Sequence, residues 1–260
     1  MAKNATIVSC RALTSKLSLW LLALLCISSE ALSENISRIY GINLPYRLNE
    51  MGEGGYNRLL DELRTQGLQF DLSILPLKRW HNRTRSDRES CLFPVSVNAL
   101  QTYDASYNDI SLVSSQPVDW VSLRVFTAPN RPVINTMDQL RGKRVATWKS
   151  HDSEPFTRDY NLSPDESRNE SSQLQMLYAG RLDAIIGFAP DVNIAATSLK
   201  LPRPVYSPEL SLLDREGATL VCHDTEANRK LTREFDRLIT KMKKSGKLHQ
   251  LLGSHASVSL

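Results

Sequence analysis

The sequence has 260 residues, in which 32 Lys and Arg against 28 Asp and Glu leave a net charge of +4. It shows no basic stripe with interleaved aromatic residues, which nucleic-acid binding requires, so we expect no nucleic-acid partner. The five histidines are scattered without a close H-x-x-x-H pair, and no Gly-rich phosphate loop or G-x-S-x-G turn is present. These patterns argue against metal, nucleotide and nucleophilic-serine sites, and we expect no cofactor.

The first 33 residues have the pattern of a secretory signal peptide. A basic segment precedes the uncharged run Leu17–Ser29, and Ala31 and Ser33 supply the small residues that predict cleavage after Ser33. The apolar run is shorter than the roughly 20 residues of a membrane-spanning helix, which favours a cleaved signal peptide. An uncleaved membrane anchor is the alternative. We therefore expect export into the periplasm and a mature chain that begins at Glu34.

The first third of the mature chain predicts a sheet covered by helices. Alternating and β-branched patterns predict strands over residues 36–46, 68–77 and 91–97. Between the first two strands, the apolar residues of 56–67 recur at helical spacing, and Gly67 is a stop signal. The highly charged segment 78–89 predicts a solvated helix or loop.

The rest of the chain continues to alternate strands and helices. Predicted strands cover residues 119–128, 144–149, 183–188 and 217–224. Predicted helical segments are the single turn 137–140, residues 171–180 and the long amphipathic stretch 227–253. The whole mature chain therefore predicts the α/β class, without internal repeats or low-complexity blocks.

Four segments, taken in order, resemble the extracellular solute-binding proteins of family 3, which include the polar amino-acid receptors of ABC importers. They are GINLPY (41–46), the stretch 134–154 around MDQLRGKRV, LQMLYAGRLDAIIGF (174–188) and the C-terminal stretch 216–252. This ordered set spans nearly the whole mature chain and follows an export signal, which makes the resemblance specific.

The resemblance implies a two-lobed fold of the periplasmic-binding-protein type II, in which each lobe is a mixed sheet flanked by helices and the ligand lies in the cleft between them. It places residues 34–126 and 208–260 in lobe 1 and residues 127–207 in lobe 2. Residues 121–126 would make the first crossing between the lobes, and residues 203–210 the second. A ligand that touches both lobes would stabilise the closed state.

Cys91 and Cys222 are the two cysteines that follow the predicted signal peptide. In an oxidising compartment such a pair can form a disulfide, and two buried free thiols are the alternative. Because the resemblance puts both cysteines in lobe 1, it predicts that they lie close enough to pair.

The resemblance also selects candidate ligand-binding residues in lobe 2. Ser150 and His151 belong to a turn at the start of a predicted helix, whose free N–H groups favour an anionic group. The family's acid for a ligand amino group corresponds to Phe188, and Asp191, three residues later, is a candidate substitute. Trp148 and Phe188, together with Tyr46 of lobe 1, predict an aromatic contribution to the cleft.

Lobe 1 departs from the family at the ligand carboxylate. Residues 95–117 correspond to the segment that carries the family's carboxylate-binding arginine, and they contain no arginine. A bidentate carboxylate site is not easily replaced by neutral groups, so this departure argues against ordinary α-amino acids as ligands. Ser96 and Asn98 of this segment are the candidate lobe 1 contacts.

From these features we expect an exported, monomeric solute-binding protein rather than an enzyme. It would capture a small polar or aromatic metabolite and present it to the membrane subunits of an ABC importer. Two alternatives stay open. One is a ligand-sensing or partner-binding module without transport, and the other is a small periplasmic lyase on the same fold, similar to the cyclohexadienyl dehydratases.

Overall fold

A ten-stranded mixed sheet runs through residues 36–148, 157–160 and 162–258, the part of the chain that this computed structural model describes. The strands are β1 Ser37–Ile42, β2 Phe70–Leu75, β3 Ser90–Val95, β4 Leu112–Ser114, β5 Asp119–Thr127, β6 Val145–Trp148, β7 Asp165–Ser167, β8 Ala184–Phe188, β9 Val205–Tyr206 and β10 Leu213–His223. The helices are α1 Gly55–Thr65, α2 Leu77–Ser86, α3 Val97–Tyr103, α4 Glu170–Tyr178, α5 Ala189–Ser198, α6 Glu226–Lys244 and α7 Lys247–Leu252. Short 3-10 turns cover Ala105–Asp109, Met137–Leu140 and Arg158–Tyr160.

The strand order divides the sheet into two parallel groups with an antiparallel pair between them. The order is β2-β1-β3-β10-β5-β8-β6-β7, with β4 beside β10 and β9 beside β5. β1 pairs in parallel with β2 and β3, and β6 pairs in parallel with β7 and β8. β10 and β5 are antiparallel to each other and to their outer neighbours, so these two strands connect the groups.

The first core lies on the β2-β1-β3 group. Most of its helical residues come from one apolar face of α1 and one of α6, which include the buried residues Tyr56, Leu59, Leu60, Leu63, Leu231, Phe235, Leu238, Ile239 and Met242. This recurrence every three or four residues is what places each set on a single helical face. The Thr225 hydroxyl caps α6 by accepting the Asn228 N–H at 3.2 Å, and Gly246, with φ of 75°, separates α6 from α7.

The β5, β8 and β6 strands are buried on both faces. Phe126, Ala146 and Ile185 point to the side of α4 and α5, and we call this cluster the second core. Val125, Val145, Ala184 and Ile186 point the other way and form the third core. Continuous apolar runs such as these are typical of strands that have both faces covered.

The predicted elements recur with shifted boundaries, whereas α3, α5, β4 and β7 were not predicted. The charged segment 78–89 forms most of α2, but Trp80 is 2% exposed, so one side of this helix belongs to the first core. Residues Val97–Tyr103 form α3, which the sequence analysis leaves without secondary structure, and the Ser96 hydroxyl caps it by accepting the Ala99 N–H at 2.9 Å. Both helices begin directly after a strand of the first group.

A disulfide joins Cys91 of β3 to Cys222 of β10. The two cysteines lie opposite each other in the antiparallel pairing of these strands, and both are buried in the first core. The structure therefore has the paired state and not the alternative of two free thiols.

No helix among residues 36–148, 157–160 and 162–258 is both long enough and apolar enough to cross a bilayer. The predicted signal peptide, residues 1–33, lies outside the described residues, so its cleavage and the alternative of an anchor stay predictions.

Candidate functional site

A buried ion pair joins the loop after β1 to the first turn of α5. Arg47 Nε donates to one carboxylate oxygen of Asp191 at 2.7 Å, and Nη2 donates to the other oxygen at 2.6 Å. The two side chains are 8% and 2% exposed, so the pair lies out of water. Burial of two charges is costly, and only close geometry with additional hydrogen bonds offsets that cost.

The remaining terminal nitrogen of Arg47 contacts Tyr56 and Asp119. Nη1 donates to the Tyr56 hydroxyl at 2.5 Å, and this hydroxyl donates to Asp119 Oδ2 at 3.1 Å. Nη1 itself lies 3.5 Å from Asp119 Oδ2. The N–H groups of Trp120 and Ser257 donate to the other Asp119 oxygen at 2.8 and 2.7 Å. Each of the three guanidinium nitrogens of Arg47 therefore has a partner within the protein.

Burial shifts the pKa values around Arg47. Desolvation raises the pKa of Asp119 above its ordinary value although Arg47 lies beside it, and it raises the pKa of Tyr56 well above its ordinary value. Desolvation also opposes the charge of Arg47, but Asp191, Tyr56 and Asp119 together outweigh it, so the pKa of Arg47 lies above its ordinary value. Arg47 therefore keeps its charge, and its acidic partners Asp191 and Asp119 belong to the protein itself.

Glu170 extends this arrangement from the first turn of α4. The side chain is 1% exposed, and burial, with the charge of Asp191 as a second cause, raises the pKa of Glu170 to about 8. Glu170 is therefore mainly neutral at pH 7. We call Arg47, Tyr56, Asp119, Glu170 and Asp191 the charge cluster.

The first turn of α4 also buries polar atoms without partners. Gln173 is fully buried, and neither its amide oxygen nor its amide nitrogen has a hydrogen-bond partner in the described part of the chain. Glu170 Oε2 is in the same situation. Buried polar atoms of this kind carry a desolvation cost that no hydrogen bond offsets.

A cavity of about 630 Å³ lies against Arg47 and Tyr56. It is enclosed by the end of β1, by α2, by the β3–α3 junction, by β10 and by Phe188 at the end of β8. Its apolar lining includes Ile42, Leu44, Leu77, Trp80, Val95, Leu100, Val121, Phe188 and Leu213. The volume falls within the range of roughly 300–1,000 Å³ that small-molecule sites have. The cavity therefore suits a small ligand with a large apolar surface.

Glu216 of β10 provides a carboxylate on the cavity wall. The Ser96 hydroxyl donates to its Oε2 at 2.5 Å, and the Asn98 amide donates to its Oε1 at 2.6 Å. Ser96 also lines the cavity, whereas Asn98 is exposed to solvent. These two predicted ligand contacts thus hold a third side chain, Glu216, in place.

The other predicted ligand-binding residues lie in different places. Phe188 lines the cavity. Asp191 belongs to the charge cluster, where Arg47 occupies both of its oxygens, so its predicted role toward a ligand amino group requires this pair to open. The Tyr46 hydroxyl is hydrogen-bonded to the Ser171 hydroxyl of α4, which brings the residue before Arg47 to the same helix as Glu170.

Trp148 does not line the cavity but is buried in the first core. Its indole N–H donates to the Arg168 carbonyl oxygen at 2.6 Å. Ser150 and His151 lie outside the described residues, so their predicted contact with an anionic group stays a prediction. Within the described part of the chain, no group of three or more His, Cys, Asp or Glu side chains could hold a metal ion.

Three residues of the site, Arg47, Glu170 and Glu216, were not predicted from the sequence. Arg47 directly follows the Pro-aromatic pair at residues 45 and 46, and this position is the one signal that the sequence gives for it. It lies far from residues 95–117, where the family's arginine is expected. An acid in the first turn of a helix, such as Glu170, normally indicates a solvated partner of the helix dipole. Glu216 lies in a strand whose pattern gives no sign of a ligand site.

Comparison with known proteins gives a clear result only for solved structures. No protein-family model matches the sequence, and no curated protein matches it. The ligand-binding core of GluR0 from Nostoc punctiforme in complex with L-glutamate is 16% identical with a TM-score of 0.64, over 83% of this chain and 96% of that one. A histidine kinase sensor domain with similarity to periplasmic binding proteins is 15% identical with a TM-score of 0.62, over 84% and 94% of the two chains.

The substrate-binding protein of an amino acid ABC transporter is 17% identical with a TM-score of 0.59, over 82% of this chain and 96% of that one. The chain has the two-lobed fold of the type II periplasmic binding proteins. The predicted α/β fold class is thereby confirmed. Because the similar structures include both a transporter's binding protein and a kinase sensor domain, the fold alone does not choose between transport and sensing.

Proposed function

We propose that this chain is an exported small-molecule binding protein whose ligand occupies the cavity between β1, α2, α3, β10 and Phe188. The observation that carries the proposal is the cavity itself, which has a suitable volume and a mainly apolar wall with the aromatic residues Trp80, Tyr103 and Phe188. In this proposal residues 34–126 and 208–260 form lobe 1 and residues 127–207 form lobe 2. Phe188 is then the contribution of lobe 2 to the cavity.

The charge cluster supports a ligand other than an ordinary α-amino acid. Arg47 of lobe 1 and Asp191 of lobe 2 satisfy each other, so neither is free to hold a carboxylate or an ammonium group while the pair is closed. On this view the pair stabilises the closed state from within the protein. The ligand then contributes mainly through the apolar wall of the cavity.

We propose transport as the cellular role, with a monomer in the periplasm that delivers the ligand to the membrane subunits of an ABC importer. Sensing is the second candidate, because one of the similar structures is a kinase sensor domain. Both roles use ligand capture rather than catalysis, and both predict the same cavity as the binding site.

A thermal-shift screen of the exported protein against amines, organic acids, amino acids and small aromatics tests the proposal. A ligand at about 100 times its Kd stabilises the folded state by about 2.7 kcal/mol. The variant Ala99→Trp fills the cavity from α3, so it should abolish this stabilisation. Ala105→Trp is the matched control, because Ala105 is exposed and lies outside the cavity wall.

Circular dichroism and intact disulfide content establish that the Ala99→Trp variant is folded, and the milder Ala99→Leu gives a second reading. The proposal fails if no compound in the screen stabilises the wild type. It also fails if the ligands that do so stabilise the Ala99→Trp variant equally.

A further inference from the structure

We infer that the ligand is an organic cation, with a primary or secondary ammonium group on an aromatic or aliphatic body and without a carboxylate. Glu216 would hold the ammonium group, and the apolar wall would hold the body. This inference rests on the proposed binding function and names the ligand class for the same cavity.

The cavity wall has little positive charge that is free to bind a ligand. Among its described residues, Arg47 is the one with a permanent positive charge. Its guanidinium is already engaged by Asp191, Tyr56 and Asp119, which leaves a ligand carboxylate without a strong partner there. His81 is the other side chain of the wall that can carry positive charge, and the anionic probe described below tests its contribution.

The cavity wall also carries negative charge. Its two carboxylates are Asp104, which pairs with Arg85, and Glu216. Glu216 accepts hydrogen bonds from the neutral groups of Ser96 and Asn98, and no described cationic nitrogen lies within 4.0 Å of it. A carboxylate has about four lone-pair sites, so Glu216 can accept further donors. The position therefore offers a charge that a ligand ammonium would match.

The polar and apolar groups lie in different parts of the cavity wall. Glu216 is half-buried and contacts Asn98, which is exposed, so the carboxylate lies toward the mouth of the cavity. Trp80 and Leu100, in contrast, are almost completely buried parts of the wall. An ammonium group at the mouth can stay partly hydrated while its apolar body enters the cavity.

Four probes that share a phenyl ring and differ in charge test which charge the cavity prefers. Phenethylamine carries only the ammonium group, 2-phenylethanol is its neutral counterpart, 3-phenylpropanoate carries only the carboxylate, and phenylalanine carries both charges. We expect phenethylamine to bind most tightly in calorimetric titrations of the exported protein. The neutral and anionic probes and phenylalanine should each bind at least about tenfold more weakly.

The variant Glu216→Gln keeps the size but removes the charge, and its amide can still accept a hydrogen bond from one of Ser96 and Asn98 and donate one to the oxygen of the other. We expect it to weaken phenethylamine about 10- to 100-fold and to leave 2-phenylethanol unchanged. Glu234→Gln is the matched control, since Glu234 lies on the exposed face of α6 with Arg237, and it should change neither affinity.

The wild-type ranking of the probes does not depend on any variant, so the inference stays testable if Glu216→Gln folds poorly. Tight binding of 3-phenylpropanoate or phenylalanine would overturn it, as would an unchanged affinity of Glu216→Gln for phenethylamine. If 2-phenylethanol binds as tightly as phenethylamine and Ala99→Trp abolishes the binding of both, the inferred positive charge of the ligand is wrong. The proposed binding function is then still supported. If none of the four probes binds, the inference is wrong, and the wider screen then decides the proposed function separately.

Discussion

The charge cluster and the cavity adjoin each other, since Arg47 and Tyr56 belong to both, but their charged groups have different kinds of partner. In the cluster, the cation and its carboxylates satisfy one another inside the protein. In the cavity, Glu216 has only neutral partners among the described residues. In the proposed function, the charge cluster stabilises the closed state, and Glu216 is the polar site that is open to a ligand.

This comparison also changes the meaning of the missing arginine in residues 95–117. The protein does bury an arginine, but this arginine comes from the loop after β1 and pairs with Asp191, an acid of the protein itself. A zwitterionic ligand would have to compete with a bidentate pair that is already formed. The four predictions below test the two sites, from the largest expected effect to the smallest.

Arg47→Met should be the most disruptive change, because it leaves Asp191 and Asp119 buried without their cation. Removal of one partner from a buried ion pair costs about 3–5 kcal/mol, and urea unfolding at pH 7 measures this loss. Arg237→Met, in an exposed pair on α6, should cost less than about 1 kcal/mol. The double variant Arg47→Met with Asp191→Leu should recover part of the loss. A single variant as stable as the wild type would contradict the role of the cluster.

Glu170 should make stability fall as the pH rises. Its pKa is about 8 in the folded protein against an ordinary value of 4.5, so the folded state binds the extra proton between these values. This contribution is complete below about pH 4.5 and is lost as the pH rises through about 8. The loss should be on the order of a few kcal/mol, measured by urea unfolding between pH 5 and pH 9.

Glu170→Gln should flatten this profile, and the difference from the wild type isolates Glu170 from Asp119, whose raised pKa acts in the same direction. Glu234→Gln serves as the control, because the lowered pKa of Glu234 places its effect below this pH window. Parallel profiles for the wild type and Glu170→Gln would show that Glu170 is not buried as described.

Two alanines should respond in opposite directions to the same enlargement. Ala195 is completely buried in the second core, where extra methyl groups cause overpacking, so Ala195→Leu should cost about 1–3 kcal/mol. Ala99 lines the cavity, so Ala99→Leu should leave stability unchanged or add about 1 kcal/mol. Denaturant unfolding of both variants measures this contrast. A similar loss for both would mean that no usable space lies beside Ala99.

The smallest effect is expected at Gln173, whose buried amide has no described partner. Gln173→Met keeps the length and removes the unpaired polar atoms, so its unfolding free energy should equal or exceed that of the wild type by up to about 1 kcal/mol. The matched change Asn57→Leu should instead cost about 1–3 kcal/mol, because that buried amide bonds Asn49 and Gly54. A clear loss for Gln173→Met would point to a partner that this amide holds.

The elements that could be predicted are those with a strong local periodicity. The apolar face of α6 and the continuous apolar run of β8 follow directly from the positions of their residues. The site depends instead on residues far apart in the chain. Arg47 and Asp191 are separated by 144 positions, and Ser96 and Glu216 by 120. No periodic pattern records which distant polar side chains meet, so Asp191 and Ser96 were selected without their partners.

The disulfide determines how the chain carries mechanical force. Cys91 and Cys222 are 131 positions apart, and the buried residues of the second and third cores all lie between them. Tension applied at Ile36 and Val258 would pass from β3 to β10 through the sulfur atoms and bypass that whole segment. Stretching can therefore extend only the residues outside this closed loop until a reductant opens it, and the half of the molecule that holds Asp191 and Phe188 is shielded from the load.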